Sequence, residues 1–457
     1  MRHLRSTEQA SIPAYTEVGK PAFYLFIFYV LFTYLQGGER FPVLGSIRLE
    51  FILGALLTPL AFFYVSKWNA IADARKVMNW SIAMLLCMGG MVALSRYPAI
   101  SWDVYWNRGI KFAIFGLCIA SFVSSPRALG WFLFAFLFSF FRMGFEGFLG
   151  TIDGSLIWEN QEIPRLHGTT PSYAHPNSFS GTQLGVLPYI LYLFPLLPWY
   201  WRAALAVQAL FVGNVVLRTG SRTGYLGFIA GLMSVVWQSK YRFRAAIGLS
   251  LAMLVAVPLI PAEYVGRFDT IFQDTSLPGE DTSIGQRKEI LTDAWSVFLE
   301  YPFGVGVGAF PLVRAALFGR SQDTHNLYLE VATNLGAQGF VVFCGFIICL
   351  WMAFKRLSIS TQRQLIILES LDVTDEEDRR HIHDVRLVLA CSKATWIFLV
   401  IRLVLGGFGM DMYEVYWWYL AGLAVSLSRI DAVARKKTED VLRRYRARSL
   451  SVFPGEA

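Results

Sequence analysis

Histidine is scarce in this chain: six occur in 457 residues. His3 lies near the start, His381 and His383 sit in a stretch dense in acidic and basic residues, and His167, His175 and His325 fall in the other polar segments. His325 opens the run Thr324-His325-Asn326-Leu327-Tyr328-Leu329-Glu330, where Asp323 or Thr324 is placed to cap a helix and leave the imidazole in its first turn. The positive end of a helix disfavours protonation and keeps such a ring a competent base near neutral pH. The same position suits a plain capping or interfacial histidine equally well.

Arginine supplies the second kind of chemistry. In Leu217-Arg218-Thr219-Gly220-Ser221-Arg222-Thr223-Gly224 two guanidiniums separate two apolar runs, with glycines that let the backbone turn tightly. Paired guanidiniums bind phosphate bidentately, although arginines that snorkel to a membrane surface would be placed the same way. Arg287, within Ser283-Ile284-Gly285-Gln286-Arg287, is a further clamp or a solvated residue. The run Tyr301-Pro302-Phe303-Gly304-Val305-Gly306-Val307-Gly308-Ala309-Phe310 permits close backbone approach, but no Lys-Ser/Thr pair follows, so it is no nucleotide-binding loop. His167 and His175 lack metal-ligand spacing, and no metal or cofactor is expected. The five cysteines, Cys87, Cys118, Cys344, Cys349 and Cys391, all lie in apolar stretches and read as packing residues.

The elements that must hold these groups are membrane spans. Side chains are 55% hydrophobic and only 16% charged, against about a quarter charged in soluble domains, and mean hydropathy is +0.45. Such a chain cannot cover its apolar residues with polar surface. Apolar runs centre on residues 22–36, 50–66, 79–95, 110–125, 128–143, 180–199, 202–217, 224–238, 245–260, 339–354, 387–406 and 413–428. The expected fold is an all-α polytopic membrane protein of about twelve helices. Residues 1–260 would hold nine spans, 261–338 a large outer loop with short helices, 339–428 three more spans, and 429–457 a basic tail. The first span reads as a retained anchor, since no cleavage pattern follows it.

The formal charge is +8, and its distribution sets the orientation. Nearly every short loop on one side is basic, including Arg75 and Lys76, Lys240, Arg242 and Arg244, and the tail around Arg435, Lys436 and Arg443. The rule that cations stay inside puts both termini in the cytoplasm. His167, His175, His325, Arg218, Arg222 and Arg287 then face outward. A helix from Gly285 to Glu300, with Ile290, Leu291, Ala294, Trp295, Val297 and Phe298 on an apolar stripe, should lie on the membrane or pack on the spans. Residues 355–386 read as a solvated cytoplasmic connector.

Taken together, Ser221-Arg222 at a span end, Gly285-Gln286-Arg287 in the large loop, the Pro302–Phe310 glycine run and His325-Asn326-Leu327-Tyr328-Leu329 resemble the O-antigen ligase and polymerase superfamily. Arg165-Leu166-His167-Gly168 with His175-Pro176-Asn177 is similar to that family's loop before its middle spans. The whole topology agrees, with specific motifs between about residues 165 and 340. The resemblance implies a metal-independent membrane glycosyltransferase of the GT-C type in the bacterial inner membrane, with its active site in the periplasm. It would move a glycan from undecaprenyl diphosphate to a lipid A-core hydroxyl. By motif, His325 would be the general base, and Arg222 and Arg287 would bind the donor diphosphate with Arg218 adjacent. Ser221, Asn326, His167 and Asn177 would support them.

The expected partners are therefore the lipid-linked donor, a core or glycan acceptor and the bilayer, with no nucleic acid. Two alternatives stand beside the ligase. A polymerase of O-antigen or exopolysaccharide would differ only in taking another lipid-linked repeat as acceptor. A transporter would share the helix count but should show similar halves, broken helix pairs and intramembrane acids, which this sequence lacks.

Overall fold

A computed structural model describes residues 18–65, 71–160, 163–256, 283–371, 373–409 and 412–452. The expected N-terminal cations before residue 18, Lys67 and the start of the large loop, residues 261–282, lie outside the described residues.

The chain is a bundle of helices. α1 (Lys20–Tyr34) and α2 (Leu49–Val65) are joined by two short helical turns. α3 (Ala72–Ala93) is followed by α4 (Pro98–Val104), which passes through a π turn (Tyr105–Ile110) into α5 (Lys111–Phe122). Ser125 caps α6 (Pro126–Asp153), its side chain accepting from the Ala128 amide at 3.2 Å. α6 runs past the expected end at residue 143, because the aromatic and small residues Phe145, Gly147 and Phe148 continue its helical stripe. The segment between this helix and the apolar run at 180–199 thus begins only at Gly154.

That loop contains the single departure from helix among the described residues. β1 (Ile157–Asn160) pairs antiparallel with β2 (Ile163–Leu166), with Trp158 opposite Arg165. Four-residue strands carry too short a period to stand out in an aromatic-rich sequence.

The expected span at 180–199 is α7 (Pro176–Leu184) and α8 (Leu187–Leu193), with Pro188 near the junction. α9 (Trp199–Arg218) and α10 (Arg222–Gln238) follow, then α11 (Arg242–Ala256), the loop helix α12 (Ser283–Glu300) and α13 (Phe310–Phe318). α14 (Leu327–Glu369), α15 (Glu376–Gly406) and α16 (Val415–Val452) complete the chain. α14 is broken at Gly336, whose φ of 71° is left-handed.

Among the described residues, six helical segments are long and apolar enough to cross a bilayer: 72–93, 126–153, 176–196, 199–218, 327–369 and 376–406. The shorter apolar helices α1 and α2 add to them. The expected runs at 110–125, 224–238 and 413–428 also fall on helices, each too short or too polar to count by that measure. The outward faces are apolar, with Leu210 72% and Trp237 75% exposed, a surface that lipid and not water would cover. Inside, Tyr34, Phe136, Tyr189, Phe398 and Tyr419 form an aromatic core. The hydroxyl of Tyr419 donates to that of Tyr189 at 2.8 Å, so the tyrosine oxygens are satisfied within it.

At the end of the bundle remote from His325, residues 355–386 are not a loose connector. α14 continues to Glu369 and α15 starts at Glu376, leaving only a short turn. The physical reason is a second apolar seam, in which Leu365, Leu368, Val385, Ala434 and Val441 are buried together. Residues 429–452 likewise continue α16, and Arg429 is buried with its Nη1 donating to the Ala120 carbonyl at 2.6 Å.

Candidate active site

The site forms where α7, α10 and α14 begin. His175 is the N-cap of α7: its Nδ1 accepts from the Asn177 amide at 3.2 Å. An accepting Nδ1 places the proton of the neutral ring on Nε2. Ser221 is the N-cap of α10, accepting from the Gly224 amide at 3.0 Å, which makes its role local and leaves Arg222 as the first helical residue. Asn326 caps α14, its Oδ1 accepting from the amides of Tyr328 and Leu329 at 3.0 and 3.1 Å, while its Nδ2 donates to the Gly407 carbonyl at 3.1 Å.

The cap is therefore neither Asp323 nor Thr324. His325 does not sit in the first turn but just before it, with φ of 48°. A left-handed conformation costs a side-chain-bearing residue roughly 1–2 kcal/mol, and here it turns the imidazole out of the helix line.

The large loop fixes this arrangement from behind. In α12, Ile290, Ala294 and Val297 are buried, whereas Leu291 and Trp295, expected on the same stripe, are exposed. Below it the glycine run is stitched to the broken turn of α14: the amides of Val305 and Gly306 donate to the carbonyls of Thr333 and Asn334 at 2.9 and 3.0 Å, and that of Ala337 to Pro302 at 2.8 Å. Gly304 has φ of 90°, and a Cβ there would meet the Gly336 nitrogen at 2.6 Å. A methyl group at either glycine would push the loop off the helix that carries His325. Arg314, fully buried, is clamped by Asp293 at 2.9 Å and holds α13 to α12.

Arg165 is the strut on the other side. Buried on β2, it donates from Nε to the Thr219 carbonyl at 2.8 Å and from Nη2 to Asn177 Oδ1 at 2.9 Å. The turn before Arg222 and the start of α7 are thereby joined.

The result is a positively charged cluster. Burial first, then the charges of Arg287 and Arg314, hold the His325 pKa below the usual histidine value. Burial, Arg165, His325 and Arg287 do the same to His175. The protein around the Arg287 head and the nearby Arg222 charge lower Arg287 from the ordinary arginine range. These couplings put His325, His175, Arg287 and Arg222 in one neighbourhood, although they come from four separate stretches of chain. Among the described residues, Arg222, Arg287 and the His325 imidazole have no side-chain hydrogen bond or ion pair. Three uncommitted polar groups beside one another are a receptive surface for an anion with a neutral base at its edge.

His325, His175 and Asn177 also line a cavity of about 860 Å³ that opens between α1, α5, α7, α15 and α16. Arg218 does not line it; it ends α9, half-buried. His167 is likewise outside the cavity lining, its Nδ1 3.0 Å from the Gly168 carbonyl and its ring against Trp158. Arg165 and His175 are members of the cluster that sequence reasoning left among the motifs without a role. Their signal was present, in that both flank the Gly168–Ala174 loop, but only the hairpin brings them to Arg222.

No group of three or more histidine, cysteine, aspartate or glutamate side chains converges as a metal site among the described residues. Comparison with known proteins gives one family. Residues 181–344 match the O-antigen ligase family, the region that contains Arg222, Arg287 and His325. No curated protein matches the chain.

Proposed function

We propose, from the premise that residues 181–344 are an O-antigen ligase region, that the protein is a membrane glycosyltransferase that moves a glycan from undecaprenyl diphosphate to a lipid A-core hydroxyl. The observation that carries the reading is the convergence of His325 with Arg222 and Arg287, all three uncommitted among the described residues, beside a cavity of mixed aromatic and polar lining at one end of an apolar bundle. The cationic loops and both ends of the described chain gather at the opposite end, which supports a cytoplasmic placement for them and a periplasmic one for the site.

The chemistry needs little more. A sugar hydroxyl is a weak nucleophile, and the neutral His325 imidazole takes its proton as the oxygen attacks the anomeric carbon. The bond from that carbon to the diphosphate breaks, and undecaprenyl diphosphate leaves with its growing negative charge matched by Arg222 and Arg287. Two guanidiniums do electrostatically what a divalent ion does in many diphosphate-using enzymes.

The test is incubation of the purified protein with undecaprenyl-diphosphate glycan, with and without lipid A-core. A single core-linked product supports the ligase. A ladder of longer lipid-linked glycans without core would instead make it a polymerase, and no glycan product under either condition would overturn the transferase reading.

A further inference from the structure

The cavity extends well beyond the two histidines, and neither Arg222 nor Arg287 lines it. On the transferase reading, the diphosphate therefore lies on the arginine side of His325, and the cavity lies on the side from which the accepting hydroxyl must come. Its walls mix aromatic and polar groups, as a sugar ring requires: Tyr34, Phe112 and Tyr416 face it together with Thr33, Asn107 and Ser172. The π turn that interrupts α4 and α5 delivers Asn107 and Arg108 to this wall.

Most charges in the cavity are already matched. Lys111 pairs with Glu50 at 2.7 Å and Arg108 with Glu414 at 2.8 Å. Glu39 accepts from the Ser172 hydroxyl at 2.7 Å. Arg402 differs. It lies on α15 one turn before Gly406, is only 3% exposed, and has no carboxylate within ion-pair distance among the described residues. Its Nη2 donates to the Gly181 carbonyl at 3.0 Å, and its guanidinium carbon lies 3.4 Å from the Tyr416 ring centre. Its Nε is buried without an acceptor. Arg314 and Arg320 also bury a nitrogen without a hydrogen-bond partner; what distinguishes Arg402 is that it lines the cavity and has no carboxylate partner among the described residues, and a largely buried positive charge favours an anion beside it. Its electrostatic neighbours are Tyr34 and Tyr173, whereas Arg287 acts on the histidines. Arg402 lines the cavity, and Arg222 and Arg287 do not.

We infer that this cavity is the acceptor compartment and that Arg402 on its wall binds an anionic substituent of the acceptor glycan, a carboxylate or a phosphate. The inference rests on the transferase reading for the word acceptor, but the anion preference can be measured without any transfer.

The experiment is direct binding to the purified full-length protein of three matched oligosaccharides. One carries a hexuronate, one is its carboxyl-reduced counterpart, and one carries a phosphate in place of the carboxylate. A charge-assisted hydrogen bond predicts that the acidic sugars bind about 10- to 100-fold more tightly than the reduced one, and whichever of the two binds better identifies the anion. In Arg402→Gln the ratio should fall to about one. Arg402→Lys, which keeps the charge, should retain part of it. Arg222→Ala should keep the ratio while weakening binding of undecaprenyl diphosphate.

No preference in the native protein overturns the proposal, whatever the variants do. So does a preference that survives in folded Arg402→Gln, which would make Arg402 a packing residue held by Tyr416 and Gly181. Failure of the transferase reading would look different: an intact preference for acidic sugar with no glycan transfer.

Discussion

Both ends of the bundle carry histidine, arginine and aspartate, and they treat them differently. At the end remote from the cavity several of these groups are buried and spent on another helix. His381 Nε2 is 2.9 Å from Thr438 Oγ1, Asp431 accepts from Gln364 and Ser360 at 2.7 and 2.9 Å, and Arg444 reaches the buried Asp378 at 2.7 Å. At the cavity end Arg222, Arg287, His325 and the Nε of Arg402 are left over. Arg287 and His325 are exposed and Arg222 is half-buried, so solvent satisfies their polar atoms where no protein group does, and a ligand can displace it. The contrast separates residues that hold helices from residues whose side chains have no hydrogen-bond or ion-pair partner among the described residues, which residue type alone does not.

The sharpest way to break this comparison is to remove one histidine from each end. His325→Ala should lower glycan transfer by about 10²- to 10⁴-fold while the protein still inserts and purifies normally. Full transfer by that variant would remove the base assignment. His381→Ala should leave transfer per folded molecule unaltered and lower only thermal stability.

The arginines come next. Arg222→Ala and Arg287→Ala should each lower kcat/KM for the lipid-linked donor by about 10- to 100-fold, the worth of one charge-assisted contact. An effect confined to the acceptor KM would contradict their place on the diphosphate. At the opposite end, Asp431→Ala strips acceptors from Gln364 and Ser360 and should lower unfolding free energy by about 1–3 kcal/mol, visible as a lower Tm with unaltered specific activity.

The smallest effect is in pH dependence. Protonating His325 destroys the base, so the rate falls as pH falls through its pKa. Burial and the neighbouring positive charges hold that pKa below the ordinary histidine value, so the acid limb of kcat/KM should lie below the usual histidine range. Arg287→Gln removes one of those charges and should move the limb upward. A limb that stays in place would mean that another group titrates.

The helical, apolar character of the chain is legible in the sequence. His325, Arg222 and Arg287 each stand where the composition changes abruptly from apolar to polar, and their types are those the proposed base and anion binders require. The places where the reading fell short share a cause. His325 was expected inside a helix because Thr324 and Asp323 are good caps, yet Asn326 is as good and lies next in line. Residues 355–386 looked like a solvated linker because their charges dominate the pattern, but Leu365, Leu368 and Val385 have apolar partners sixty or so residues away on α16. Arg165 and His175 gained a role only through the β1–β2 hairpin, whose strands are too short to announce themselves.

The sequence by itself determined that the chain is an apolar helical bundle with polar, charged segments between its helices, since hydropathy and charge act on each segment locally. Which cations are matched and which are not was decided by tertiary structure alone. Pairing depends on distances between residues as far apart in the chain as Asp293 and Arg314, Arg108 and Glu414, or Gly181 and Arg402, and no local pattern encodes them. Burial raises the energetic stake of each such match or mismatch, and burial too exists only once the helices have packed.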